Sequence, residues 1–193
     1  MKRIIIVSIL LALVAPAYSL PTPPQYLQLC DNTSEGTIAE IYPEGAALLI
    51  EVVMPAQYKF AEYIGTYIYG STGWTGWYVI YNAERQLIWR REIGSSMKEG
   101  WSNCYAGKYI GSGRTFYVGA EANYSHHLEF GMDGDPPHHY YKNWVRYPGG
   151  PGYKESWQHL SWFAYNDPMI RVQVVGSPAA EPTSLGRVKA IYR

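Results

Sequence analysis

The segment FGMDGDPPHHYYKNW, residues 130–144, gathers groups that do chemistry: two aspartates, two histidines and a run of aromatics behind a pair of prolines. Asp133 and Asp135 offer alternate carboxylates together with backbone carbonyls. Hard oxygen donors of this kind suit calcium, which takes about six to eight of them. The complete calcium-loop pattern is not met, because the next alternate position carries neither acid nor amide and Trp144 stands where the closing glutamate belongs. The plainer reading makes Asp133 and Asp135 turn residues, since aspartate caps its own turn and tolerates left-handed backbone. His126, His127, His138 and His139 form two adjacent pairs whose imidazoles suit zinc or copper. A hairpin over residues 126–139 would bring both pairs near its open end. Adjacent residues on a strand point to opposite faces, so each pair can turn only one ring toward a shared ion. Two rings make an incomplete site, and exposed polar positions describe these histidines better.

The second store of chemistry is aromatic. The chain has 19 Tyr, 7 Trp and 4 Phe in 193 residues. Alternation turns many of Trp74, Trp77, Tyr78, Tyr81, Tyr105, Tyr117, Tyr140, Tyr141 and Trp144 outward. Exposed rings stack on sugars or anchor protein partners, and rings along a sheet also pack across strands. Trp74, Trp77, Tyr117, Tyr141 and Trp144 are the ligand-binding candidates. Catalytic signatures are lacking: there is no H-E-x-x-H zinc helix, no G-x-S-x-G nucleophile elbow and no Walker-type phosphate loop. A glycan hydrolase or lyase would need two carboxylates converging on an aromatic-lined face. Glu121, Glu129 and Asp133 are the acids to watch for that, and no catalytic residue is assigned.

The elements that must carry these residues are strands. Strand-like runs recur at 25–30, 37–41, 46–53, 58–69, 76–81, 86–93, 101–105, 115–122, 127–132, 140–145, 157–163 and 169–175. Glycine and proline turns separate them, as in GSTG, GSGR, DGDPP and PGGPG. In TFYVGAEA, Phe116, Val118 and Ala120 face inward while Tyr117 and Glu121 face outward. In MIRVQVV, Ile170, Val172 and Val174 take the inner face. Such alternation marks antiparallel strands with one wet face. No helix of ten or more residues is expected before residue 177. The predicted fold is an all-β antiparallel sandwich, jelly-roll-like, over residues 25–176.

The ends read differently. Lys2 and Arg3, the apolar run 4–14 and the small residues Ala17 and Ser19 make a secretory signal peptide over residues 1–19, with cleavage after Ala17 as the competitor. Its apolar run of about eleven residues falls short of the roughly 20 needed to span a bilayer, and no later segment is long enough. Residues 20–24 form a Pro-rich spacer. Residues 177–193 read as a linker and tail, either a last packed element or a detachable docking segment. Without the signal, fourteen basic residues stand against sixteen acidic ones, a net charge of −2. That balance offers no basic face for nucleic acid. An exported chain meets an oxidising compartment, so Cys30 and Cys104 are expected to form a disulfide, with two separate buried thiols as the alternative. The bridge would close a loop of about 74 residues.

The ordered set YIGTYIYG (63–70), GWYVIYNAERQLIW (76–89), Gly100–Trp101, TFYVGAEA (115–122), FGMDGD (130–135), YYKNW (140–144) and DPMIRVQVV (167–175) covers most of residues 25–176. It resembles the jelly-roll-like β-sandwich accessory domains of secreted bacterial and archaeal peptidases, including immune-inhibitor-type metalloproteases. The resemblance implies a non-catalytic binding, folding or anchoring role and transfers no catalytic residue. This chain departs from that pattern in having no peptidase domain attached. The expected function is that of a secreted or cell-surface module. It would bind a polysaccharide, a cell-envelope component or another secreted protein, with calcium as a loop staple. A small jelly-roll glycan hydrolase or lyase and a structural surface-layer subunit are the alternatives.

Overall fold

TFYVGAEA folds as its alternation implies. It forms one strand whose Phe116, Val118 and Ala120 enter the core and whose Tyr117 and Glu121 lie on the opposite side of the sheet. The computed structural model describes residues 22–31, 37–41, 45–68, 76–93, 100–123, 128–134, 142–152, 154–160 and 167–177. The signal segment, the C-terminal tail from residue 178, Trp74, Asp135, Tyr141 and both histidine pairs lie outside these residues.

The strands in chain order are β1 (Gln25–Gln28), β2 (Thr37–Ile41), β3 (Ala47–Val53), β4 (Phe60–Ile68), β5 (Gly76–Asn82), β6 (Leu87–Ile93), β7 (Gly100–Tyr109), β8 (Thr115–Ala122), β9 (Leu128–Asp133), β10 (Asn143–Tyr147), β11 (Ser156–His159), β12 (Asp167–Pro168) and β13 (Ile170–Val175). They build two antiparallel sheets. The six-stranded sheet runs β11-β10-β3-β8-β5-β6. The seven-stranded sheet runs β1-β13-β4-β9-β12, with β7 paired to β4 and β2 paired to β9. Among the described residues no helix is long and apolar enough to cross a membrane.

The sheets face each other across one core. Leu48, Ile50 and Val52 of β3, Tyr78 and Ile80 of β5, and Phe116, Val118 and Ala120 of β8 meet Ile64 of β4 and Ile170, Val172 and Val174 of β13. Each large aliphatic or aromatic side chain buried here contributes about 1.5–3 kcal/mol. Tyr78 is the polar member. Its hydroxyl donates to the Ser102 carbonyl at 3.0 Å and accepts from Thr66 Oγ1 at 3.4 Å, which straps β5 to the opposite sheet. Burial pushes its phenol above the ordinary value. At one side of the sandwich Arg91 of β6 reaches across, and its Nη1 donates to the Tyr105 carbonyl of β7 at 3.3 Å.

Two expectations change. The cysteines are not bonded to each other; Cys30 is buried and Cys104 half-buried. Register explains why. Gln28, Arg171, Gly65 and Asn103 form one row across β1, β13, β4 and β7. Three inter-strand steps of about 4.8 Å put the two ends of that row about 14 Å apart. A disulfide needs Cα atoms within about 7 Å, and Cys30 and Cys104 sit beyond opposite ends of the row. The second change concerns residues 130–144. A hairpin over 126–139 would need β9 to pair with the strand after it, but β9 pairs with β2, β4 and β12 whereas β10, the next described strand, pairs with β3 and β11. The segment crosses from one sheet to the other.

Candidate functional site

Each sheet turns an aromatic face away from the core. On the six-stranded sheet, register sets three rows of outward side chains. His159, Trp144, Leu49, Gly119, Val79 and Arg90 form one, and Trp157, Arg146, Ala47, Glu121, Trp77 and Glu92 the next. Glu51, Tyr117 and Tyr81 form the third. Sequence-predicted Trp77, Tyr117 and Trp144 therefore converge on one surface.

That surface is closed. Tyr81 is 2% exposed, Tyr117 6% and Trp144 8%. Trp157 folds over them edge to face, with ring centroids 5.2 Å from both Tyr81 and Tyr117 and 6.5 Å from Trp144. His159 stacks on Trp144 at 3.7 Å, and the Arg85 guanidinium lies 4.6 Å from the Trp144 ring and 5.2 Å from Trp157. Arg90 covers Trp77 at 4.5 Å.

The acids of this face are engaged. Glu121 accepts the Tyr81 hydroxyl at 3.0 Å and Arg146 Nη1 at 3.4 Å, with Arg90 at 3.9 Å. Glu155 accepts Arg146 Nη2 at 2.9 Å and Trp157 Nε1 at 2.8 Å, and the Arg146 hydrogen bond holds its carboxyl below the ordinary range. Glu51 accepts Trp144 Nε1 at 3.1 Å. Burial, then the charge of Glu121, pushes the Tyr81 phenol far above its usual value. This is a second core with a polar lid.

The seven-stranded sheet presents the other face. Tyr63 of β4 pairs with Tyr105 of β7, and Tyr67 with Trp101. The rings meet edge to face at 5.3 and 5.9 Å, and all four are half-buried. Between the pairs lie Gly65 and Asn103. A Cβ at residue 65 would come 2.5 Å from Asn103 Oδ1 and 3.1 Å from Arg171 Cγ, so only glycine leaves this floor flat. Arg171 borders it. Its guanidinium sits 4.0 Å from the Trp101 ring and 5.0 Å from Tyr26, and Nη2 donates to Asn103 Oδ1 at 3.2 Å. Four positions along a strand separate Tyr63 from Tyr67 by about 13 Å. The arrangement is a flat strip with rings at both ends and amide and guanidinium donors between.

The sequence reading kept Tyr105 among its outward rings but left out Tyr63, Tyr67, Trp101 and Arg171 as site residues. A signal was present: Tyr-x-Gly-x-Tyr at 63–67 and Trp-x-Asn-x-Tyr at 101–105 have matching alternation, as antiparallel partners should.

The acids do not assemble a catalytic pair. Glu121 belongs to the closed face of the six-stranded sheet, and Asp133 ends β9 in the other sheet. The Glu129 side chain lies outside the described set. Asp133 is buried; its Oδ2 accepts the Asp31 N–H at 2.6 Å, and it stands in register with buried Asp167. Among the described residues no three His, Cys, Asp or Glu side chains gather into a metal-binding group. Compared with known proteins, the chain matches no family model, no curated protein and no solved structure.

Proposed function

We propose that this chain is a secreted, non-catalytic β-sandwich module that binds a polysaccharide along the outer face of its seven-stranded sheet. The observation that carries this reading is the strip itself: Tyr63 with Tyr105 and Tyr67 with Trp101 on either side of the Gly65 floor. Sugar rings pair apolar C–H faces with polar edges, so they suit aromatic side chains that alternate with hydrogen-bond donors. Asn103 and Arg171 supply those donors at the centre of the strip. Secretion rests on the basic, apolar and small-residue order of residues 1–19. A non-catalytic role rests on the missing catalytic motifs and on the resemblance to peptidase accessory domains.

The test is a glycan array followed by affinity electrophoresis in the polysaccharide it selects, with calcium supplied. Wild-type protein is retarded, and the Tyr67→Ala, Trp101→Ala double variant loses affinity at least tenfold. At about 0.5–1.5 kcal/mol per ring, two rings give roughly that loss. Equal retardation of the double variant removes the strip from the reading. No retained glycan, together with capture of a defined protein partner, replaces the polysaccharide with that partner.

A further inference from the structure

Where the chain crosses from one sheet to the other, Asn143 meets Asp167 in the interior, and Asp133, whose Oδ2 accepts the Asp31 N–H, lies beside Asp167 in register. Asp133 and Asp167 stand in register at the junction of β9 and β12 and are 3% and 1% exposed. Asn143 opens β10 in the opposite sheet, is 0% exposed, and donates Nδ2 to Asp167 Oδ1 at 2.6 Å. Its own Oδ1 is buried with no hydrogen-bond partner. Buried carbonyl oxygens are nearly always satisfied, and leaving one bare is costly. Turning the amide over does not help, because it would set two oxygens 2.6 Å apart. Either orientation leaves a buried oxygen without a protein donor, a place a cation or a water would fill.

The donor set selects the cation. Two carboxylates and an amide carbonyl are all hard oxygens, with no nitrogen or sulfur among them, which suits calcium or magnesium over zinc or copper. Magnesium demands a small, near-ideal octahedron and keeps several waters, whereas calcium accepts irregular shells of protein oxygens. We propose that Asp133, Asp167 and Asn143 hold a calcium ion that pins the two sheets together at this crossing. Two carboxylates balance its charge, and water and backbone carbonyls complete its shell. The site keeps Asp133 from the sequence reading and adds a partner 34 positions further along the chain. It is independent of the glycan reading, since none of its residues belongs to the aromatic strip.

The test uses the full chain, stripped with EDTA and titrated with calcium alone by calorimetry, alongside thermal melts in EDTA, 10 mM calcium or 10 mM magnesium (these conditions scaled to the roughly millimolar affinities of extracellular calcium modules). The expected results are saturable binding with Kd on the order of 10⁻⁴ M and a Tm raised by about 5 °C or more in calcium. Magnesium should give a clearly smaller rise. Asp167→Asn should weaken calcium binding at least tenfold. Asn143→Leu removes the bare oxygen together with the Nδ2 donor to Asp167, so it should lose the calcium response whatever its melting point in EDTA. Absence of both heat and Tm change for wild type in 10 mM calcium overturns the proposal. So does an equal response to magnesium, or a full calcium response in Asp167→Asn. Should a variant fail to fold, the wild-type titration decides alone.

Discussion

The two outer faces use the same alphabet of Trp, Tyr, Arg and Glu to opposite ends. On the six-stranded sheet, Arg146 is gripped by Glu121 and Glu155, Trp157 lies across Tyr81 and Tyr117, and the rings are buried. On the seven-stranded sheet, Arg171 stacks on Trp101 and Tyr26 and donates to the Asn103 amide oxygen. Its ring pairs stay partly exposed. The difference lies in what covers the rings. Carboxylates that neutralise the arginines and a fourth ring laid across the others turn an aromatic face into a core. Without them it remains a surface.

Three measurements can break or sharpen this contrast. The largest effect is expected at the central glycine of each face. A Cβ on Gly119 would collide with the Leu48 backbone carbonyl, whereas one on Gly65 would meet the ends of the Asn103 and Arg171 side chains, which can move. Gly119→Ala should cost about 3 kcal/mol or more, and Gly65→Ala less than about 1 kcal/mol, by urea unfolding. Equal costs would mean the two faces are packed alike. Next come the tryptophans. Trp144→Ala, at a buried site, should cost about 3–5 kcal/mol. Trp101→Ala should cost less than about 1 kcal/mol while weakening any glycan affinity.

The smallest effect is a pH dependence. Tyr81 has a folded pKa raised by burial and then by Glu121. Its contribution is therefore complete below the unfolded value of about 10 and lost as pH rises from there toward the folded value. The decline should be at most about 1.4 kcal/mol per pH unit. Tyr78 adds a like decline from the inner core, so the outer-face share is what Tyr81→Phe removes. Urea melts between pH 8 and 11 should show a shallower alkaline slope for that variant. An unchanged slope would argue that the Tyr81 hydroxyl is not held in a dry, acidic setting.

Much of the fold was legible from alternation and turns. The runs at 37–41 and 115–122 match β2 and β8 residue for residue, and the inward sets Phe116, Val118, Ala120 and Ile170, Val172, Val174 are core. The two-residue β12 was too short to leave a pattern. The site was less legible, because alternation tells which side of a sheet a ring takes and not whether another layer covers it. Tyr117 and Trp144 were rightly placed outward, but the ring that covers them, Trp157, comes from β11 and bends over by tertiary packing. Partnerships set by register were hidden as well. Asp133 meets Asp167, and Arg171 meets Trp101, only once strands distant in sequence are laid side by side. Cys30 and Cys104 show the same limit: compartment argues for a bond, and the strands between them prevent it.

The contact from Arg91 to the Tyr105 carbonyl has a consequence beyond closing one side of the sandwich. Among the described residues β7 is the longest strand, ten residues, and pairs with β4 alone. A bare strand edge of that length is a template on which a second chain can add its own strand. A carbonyl already holding a guanidinium is less available for that use, and Arg91 brings its charge to this strand from β6. One hydrogen bond between sheets thus also occupies an acceptor that an added strand would need.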